Sequence, residues 1–376
     1  MNHLKALVVI LFLAISTIVS AQEEEPAKSE TTTSGDQQKD PSLQVYSKFD
    51  FVPGEQVLFF DDFTAENIAD FPARWNTNNS GEVVILGGMP GKWFKMNTGG
   101  AFYPEIGKPF PENFTIEFDM IASFDPEPGC FQVDIYKTGT QEAMDALVPG
   151  AGGGSVRMEG YSLSLFNWQD GNYGEISNSK ETEFLRTHSN KIIRISIAVQ
   201  KQRMRWYVDD AKIFDIPRFF PAGVAMDRIR FSLHGCDVEG YQPFIANFRV
   251  AVGSPDMRNK LITEGKLVTR GITFDSGSDK IKAESYGTLK EIAGILKENP
   301  AIRVKIVGHT DSDGDDASNM TLSKKRAEAV KSALAGQFAI DASRMETDGK
   351  GESQAVSPNT TPEGKANNRR VEFIKL

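Results

Sequence analysis

Residues 113–123 read NFTIEFDMIAS, and that alternation leaves few choices of fold. Phe114, Ile116, Phe118 and Met120 fall on one side of an extended chain, and Asn113, Thr115, Glu117 and Asp119 on the other, because successive strand side chains point to opposite faces. KIIRISIAVQ at 191–200 repeats the pattern, setting Ile193, Ile195, Ile197 and Val199 against Arg194, Ser196 and Ala198. RMRWYVDDAKIFDI at 203–216 reads as a hairpin turning at Asp209–Asp210–Ala211, and RIRFSLHG and FIANFRVAV alternate in the same way. Such strands, recurring through residues 45–253, imply an antiparallel β-sandwich with one dry face and one wet face.

The remainder of the chain has a different texture. Residues 1–21 carry one lysine, an apolar run from Ala6 to Val19 and small residues up to Ala21, which reads as a signal peptide cleaved after Ala21. The polar, acidic stretch 22–44 reads as a disordered leader. No later stretch is apolar enough to span a bilayer as a helix. The chain carries a formal charge of −9, unevenly spread: residues 259–376 hold 19 Lys and Arg against 17 Asp and Glu, so the remainder is strongly acidic. That balance argues against nucleic acid as a partner. Cys130 and Cys236 are the only cysteines. They are either two buried thiols or one disulfide, and export together with their places beside strand-like runs of one domain favours the disulfide.

The sandwich leaves several functions open. Glu117 and Asp119 share a face, as the carboxylates of a glycoside hydrolase can, but the same-face series then passes to Ile121 and Ser123. A solvated outer face is the plainer reading. Trp75, Trp93, Trp168 and Trp206 could stack on sugars, although tryptophans in a sandwich more often fill the core. The loop NWQDGN could offer oxygens to Ca²⁺, but no full ligand pattern is visible, so no metal or other cofactor is assigned. An outer-membrane β-barrel would need an uncharged lipid-facing band, which irregular strands and glycine loops such as PGAGGGSV interrupt. The order LFFDDF, then a WYVD hairpin, then FIANFRVAV resembles the concanavalin A-like, laminin-G-like jelly-roll superfamily over about 55–253. Beside the hydrolase and the barrel, a non-catalytic binding module for a glycan or an envelope protein, or a spacer, is the reading kept for this half.

After an expected linker at 254–259, strands alternate with helices. RGITFD reads as a strand to Asp275; Leu289, Ile292 and Leu296 stripe one helix, which Pro300 stops. AIRVKIVGH is a strand, a loop covers 309–318, and a second helix starts near Leu322. RMETDGKG and NNRRVEFIKL supply further strands, giving an α/β two-layer domain over 260–376. On the second helix, Leu322, Ala329, Val330, Ala333 and Leu334 form the expected buried stripe, and Arg326 falls within it. A guanidinium on a packed face needs a carboxylate, unless it snorkels to the rim.

FDSGS at 274–278, GHTD at 308–311, NMTLSKKRA at 319–327 and TPEGKANNRRVE at 361–372 together resemble the OmpA-like peptidoglycan-binding domain. The resemblance implies that Asp311 and Arg326 grip the diaminopimelate of the wall peptide. Asp311 would accept from its ammonium, and Arg326 would donate a planar fork to its carboxylate. It also implies mutual pairing of Asp311 and Arg326 in the empty site, with Arg326 near its helix start, where free N–H groups favour an anion. Asn319 is expected to pin the 309–318 loop; Thr310, Asp275 and Ser276 are expected to line the cleft; and Arg369, rather than Arg370, to brace its carboxylates. Asp313, Asp315 and Asp316 make the loop unusually acidic, and His309 reads as structural. The whole implies a non-catalytic, periplasmic, wall-associated protein, at the inner face of an outer membrane.

Overall fold

The structure, a computed structural model, describes residues 49–122, 130–139, 144–236, 238, 240–253 and 256–376. The expected signal peptide and leader lie outside the described residues. In chain order the first part runs β1 (Val57–Asp61), β2 (Trp75–Thr77), β3 (Gly81–Val84), β4 (Trp93–Met96), β5 (Ala101–Pro104), β6 (Asn113–Ile121) and β7 (Cys130–Lys137). It continues with β8 (Gly152–Glu159), β9 (Ser162–Gln169), β10 (Asn172–Glu181), the short helix α1 (Phe184–Thr187), β11 (Ile193–Gln200), β12 (Arg203–Val208), β13 (Ala211–Ile216), β14 (Arg228–Ser232) and β15 (Phe244–Val252). The second part comprises α2 (Met257–Ile262), β16 (Lys266–Thr269), α3 (Tyr286–Glu298), β17 (Val304–His309), α4 (Asp316–Phe338), β18 (Met345–Gly349), α5 (Pro362–Asn368) and β19 (Arg370–Lys375).

The first part is two large sheets. One has the order β13-β12-β11-β6-β15-β4-β3, with β1 added on β15; the other has the order β10-β9-β8-β7-β14-β5-β2. Both are open-ended and share one core. Phe118 of one sheet meets Phe231 of the other at 5.2 Å between ring centroids, and Phe248 meets Trp75 at the same distance. All four tryptophans are buried. Gly152, Gly153 and Gly154, expected in a loop, lie within β8; a Cβ on Gly154 would sit 2.3 Å from the Phe219 ring, so glycine here makes room for packing. NWQDGN is the tight turn between β9 and β10, with Asp170 and Gly171 at positive φ. Among the described residues no group of His, Cys, Asp or Glu could hold a metal ion. Cys130, the first residue of β7, is joined to Cys236, four residues past the end of the neighbouring β14, with the Cα atoms 5.1 Å apart. Closing a loop of this length stabilises the fold by roughly 4–5 kcal/mol in the chain-entropy model.

The alternation is correct in what it sends inward and misleading about the other side. Thr115, Glu117, Ser196 and Arg249 face away from the core, yet each is 9% exposed or less. The face is polar but not wet, because the rest of the chain covers it. Ahead of β1, Phe49 and Phe51 pack on Tyr207 of β12, while Val52 enters the core of the C-terminal domain. The linker expected at 254–259 is shorter, since Met257 already begins α2 and is buried with Leu261 in that core.

The free edge of β1 is covered by α5. The Asn367 side chain donates to the Val57 carbonyl at 3.2 Å and accepts from its N–H at 3.0 Å, as a neighbouring strand would. Glu363 accepts from the Phe60 N–H at 2.9 Å and from Arg74 at 2.5 Å. The sequence reading missed this helix, although Thr361-Pro362-Glu363 is a helix-start signal: the Thr361 hydroxyl accepts from the Gly364 N–H.

Candidate functional site

The C-terminal sheet has the order β16-β19-β17-β18, with β17 and β18 parallel and α4 connecting them. The strand expected to end at Asp275 is displaced to β16; residues 273–282 form only a bridge between Phe274 and Ile281. The chain leaves β17 at His309 and passes Thr310 and Asp311, placing them where open α/β sheets bind ligands, beyond the strand ends. α4 lies close on this sheet, since a Cβ on Gly308 would stand 2.2 Å from the Ser323 carbonyl.

α4 starts at Asp316, six residues before Leu322, because Asp315 in the acidic loop is its N-cap and accepts from the Ser318 N–H at 2.9 Å. Arg326 therefore sits well inside the helix, beyond the first four residues whose N–H groups are free. The helix-terminus argument for anion binding at Arg326 does not hold. The buried stripe is also rotated: Asn319, Ser323, Arg326, Ala327, Val330 and Leu334 are buried, while Leu322 and Ala329 are only half-buried.

Arg326 does not make the ion pair expected of it. Its Nε donates to the Ser278 carbonyl at 2.9 Å and one Nη reaches the Asp275 carbonyl at 3.5 Å, while the guanidinium lies 4.9 Å from the Phe274 ring centre. Burial lowers its pKa, Asp311 opposes that from a distance, and Arg369 adds to it. Asp311 instead binds Arg369 at 2.5 Å through Oδ2, while Oδ1 accepts from the Asp313 N–H at 3.2 Å. Arg369 also lies 5.4 Å from the centre of the Phe60 ring of β1. The difference has a simple cause: β19 brings Arg369 to the end of β17, whereas the 274–278 loop holds Arg326 by its carbonyls.

Asn319 reaches back to the carbonyls of Asp311 and Asp313 at 3.3 and 3.1 Å, and to Glu352 at 2.7 Å, tying the loop to the helix. Thr310 is buried and its N–H donates to the Gly351 carbonyl. Asp275 contributes its carbonyl, and its carboxylate lies 3.4 Å from Lys280. Ser276 is exposed; Ser278, the last residue of FDSGS, takes the contact with Arg326. Arg370 is buried on Glu372 at 2.9 Å, and His309 is buried with Nε2 3.6 Å from the same carboxylate. Burial pushes Glu372 up, but His309, Lys266 and Arg370 outweigh it and hold it well below the usual carboxylate range. Asp313 is bound by Lys365 at 2.6 Å, so the loop is less bare than its composition suggests.

Arg326 and Arg369 line a pocket of about 190 Å³ whose opposite wall is the outer face of the eight-stranded sheet: Phe60, Glu117, Asp119, Arg194, Asn247 and Arg249. Glu117 is held by Arg194 at 3.1 Å and by Arg249; Asp119 is held by Arg194 at 3.0 Å and by Asn247 at 2.6 Å. Burial lowers the Arg194 pKa, but Asp119 and Glu117, with Glu284 beyond them, raise it overall. The two carboxylates weighed as a hydrolase pair are thus fastened to cations, and neither a solvated face nor a poised acid is found.

The chain is similar to Probable lipoprotein YiaD of Escherichia coli, 42% identical over 128 residues that cover 31% of this chain and 58% of that protein. It is similar to Outer membrane porin F of Pseudomonas aeruginosa, 40% identical over 111 residues, 30% of this chain and 32% of that one. It is also similar to Motility protein B of Bacillus subtilis, 36% identical over 126 residues, 32% and 48% of the two chains. It therefore spans less than two thirds of the length of these relatives. Among solved structures, the peptidoglycan-associated lipoprotein from Burkholderia pseudomallei is 30% identical over 28% of this chain and 88% of that one, with a TM-score of 0.27. The match to the OmpA family covers Thr273 to Arg369, which takes in Asp311 and Arg326 and ends on the arginine that binds Asp311. Residues 273–369 of this chain are an OmpA family domain.

Proposed function

We propose that the chain is a non-catalytic cell-envelope protein that holds peptidoglycan through the diaminopimelate of its stem peptide. The observation that carries this reading is Arg326: a buried guanidinium with no carboxylate at ion-pair distance among the described residues, beside a carboxylate braced by another cation. The free end of diaminopimelate is zwitterionic. Its carboxylate gives Arg326 the counter-charge that backbone carbonyls do not, and its ammonium meets Asp311, which Arg369 already orients. Asn319, Thr310, Asp275 and Ser278 shape the cleft around them. An OmpA family domain is the setting in which such a grip is expected.

In this reading residues 1–21 export the chain to the periplasm, where it lies against the wall at the inner face of the outer membrane. The two-sheet part is a concanavalin A-like jelly-roll module that meets a glycan or an envelope protein. The binding reading is favoured over a hydrolase by the fastening of Glu117 and Asp119 to Arg194, Arg249 and Asn247, which leaves neither carboxylate free for acid or nucleophile work. The open sheets around a filled aromatic core favour it over a closed barrel.

Co-sedimentation of the mature chain with purified diaminopimelate-containing sacculi tests the reading. Wild type is expected in the pellet, with Arg326→Ala and Asp311→Ala, folded by circular dichroism, in the supernatant. A wild-type chain that stays in solution refutes it.

A further inference from the structure

The chamber between the eight-stranded sheet and the C-terminal domain holds more positive charge than its carboxylates answer. Seven cationic side chains line it, against three carboxylates. Most of the cations have partners in the chamber or just behind it: Arg194 and Arg249 on Glu117 and Asp119, Arg369 on Asp311, Arg370 on Glu372, and Lys282 within 4.0 Å of Glu284. Among the described residues, two lining guanidiniums have no carboxylate at ion-pair distance. One is Arg326. The other is Arg270.

Arg270 stands immediately before the segment that leads to Phe274, on the side of the chamber nearer β1. Its Nε donates to the Asn367 carbonyl at 2.9 Å and its Nη1 to the Glu55 carbonyl; its second terminal nitrogen has no hydrogen-bond partner among the described residues. Carbonyls satisfy N–H donors without neutralising the charge behind them. Burial, with repulsion from Arg249 and Arg370, lowers the Arg270 pKa to about 10. The sheet wall cannot relieve it, since Glu117 and Asp119 are already held by Arg194 and Arg249.

We infer that the chamber is a dicarboxylate site, in which Arg270 takes a second carboxylate of the ligand whose first is held by Arg326, so that the two-sheet module forms one wall of the site. The inference rests on the wall-peptide reading. It sharpens that reading, because the stem peptide carries a second carboxylate close by: the α-carboxylate of the D-glutamate that precedes diaminopimelate. A guanidinium with a free terminal nitrogen and no counter-charge is the group suited to it. Specificity for a free rather than an amidated D-glutamate follows.

The test is calorimetric titration of the mature chain with two tripeptides: L-alanyl-γ-D-glutamyl-diaminopimelate, and the same peptide with the D-glutamate α-carboxylate amidated. Wild type is expected to bind the first about ten-fold more tightly, the effect of one charge-assisted pair. Arg270→Gln should bring that affinity down to the amidated level and leave affinity for the amidated peptide unchanged; Arg270→Lys should keep part of the difference. Equal binding of both peptides by wild type overturns the inference, and that comparison stands even if the variant does not fold. So does an equal loss for both peptides in Arg270→Gln, the result of an arginine that only holds Glu55 and Asn367. If wild type binds neither peptide, the wall-peptide reading fails, and the inference fails with it.

Discussion

Phe118 and Glu117 are neighbours on β6, point to opposite sides of one sheet, and are almost equally hidden from water. What hides them differs. Phe118 lies among rings from both sheets, with Phe231 at 5.2 Å and Phe131 at 6.2 Å, and is held by shape and apolar burial. Glu117 lies under the C-terminal domain and is held by two arginines. The inner region is complete in itself. The outer region is a set of ion pairs within the sheet that the second domain covers, and among the described residues the chamber between them holds two guanidiniums with no carboxylate at ion-pair distance. A dry core has no reason to be unfinished; the proposed binding chamber does.

The first way to break this comparison is to truncate the two neighbours in turn. Phe118→Ala should cost about 3–5 kcal/mol of unfolding free energy in urea melts, with little dependence on ionic strength. Glu117→Ala should cost about 3 kcal/mol or more, because it strands Arg249 in a covered site and leaves Arg194 only Asp119. The two losses should respond differently to a second change. Adding Arg249→Met to Glu117→Ala should recover a large part of its loss, since removing both members of a buried pair is far cheaper than removing one. No single exchange of that kind should rescue Phe118→Ala. Equal behaviour of the two sites would dissolve the distinction.

Asp61 sharpens the contrast, being a buried carboxylate with no cation bonded to it among the described residues. It accepts from the Phe63 N–H and from Trp75 Nε1 at 3.0 Å, and burial raises it to about 6. Its protonated form is the one the fold favours. The stability it contributes is complete below about pH 3.8, its unfolded value, and is lost as pH rises through 6. The loss is roughly 3 kcal/mol. Asp61→Asn should remove that fall, so the stability difference between variant and wild type should move in the variant's favour from pH 4 to pH 7. A difference independent of pH would contradict the assignment.

The smallest effect is expected at the seam. Asn367→Ala removes two hydrogen bonds from the edge of β1 and should cost about 1–2 kcal/mol. Hydrogen exchange at the Val57 amide should quicken while exchange at the centre of β6 is unchanged. Uniform acceleration would mean that the two domains unfold as one and that the seam is not a separate region.

Much of this was readable from the residues. Alternation placed Phe114, Ile116, Phe118, Ile195 and Ile197 inward, and they are inward, because a period of two is a property of the strand itself. The grouping of Asp311, Asn319 and Arg326 at one end of the C-terminal sheet was likewise legible in the OmpA-like motifs. What covers a polar face was not legible. Thr115 and Glu117 look the same in sequence whether they meet water or Arg249, and only the return of the chain through α2 and α5 decides. Arg369 was expected to brace the cleft carboxylates and does hold Asp311; that it does so in place of Arg326 was not legible, since only the register of β19 separates the two. The start of α4 was missed because Leu322 is its first large apolar residue after Met320, while the cap, Asp315, hides among other aspartates.

The most direct measurement of the central claim is displacement of residues 22–376 from diaminopimelate-containing sacculi by free small molecules at matched ionic strength. Free diaminopimelate at millimolar concentration should release the chain in a dose-dependent way, because it offers Asp311 an ammonium and Arg326 a carboxylate on one carbon. Cadaverine, which has the same reach and no carboxylate, should release none. Release by both to the same extent, or by neither, would contradict the account.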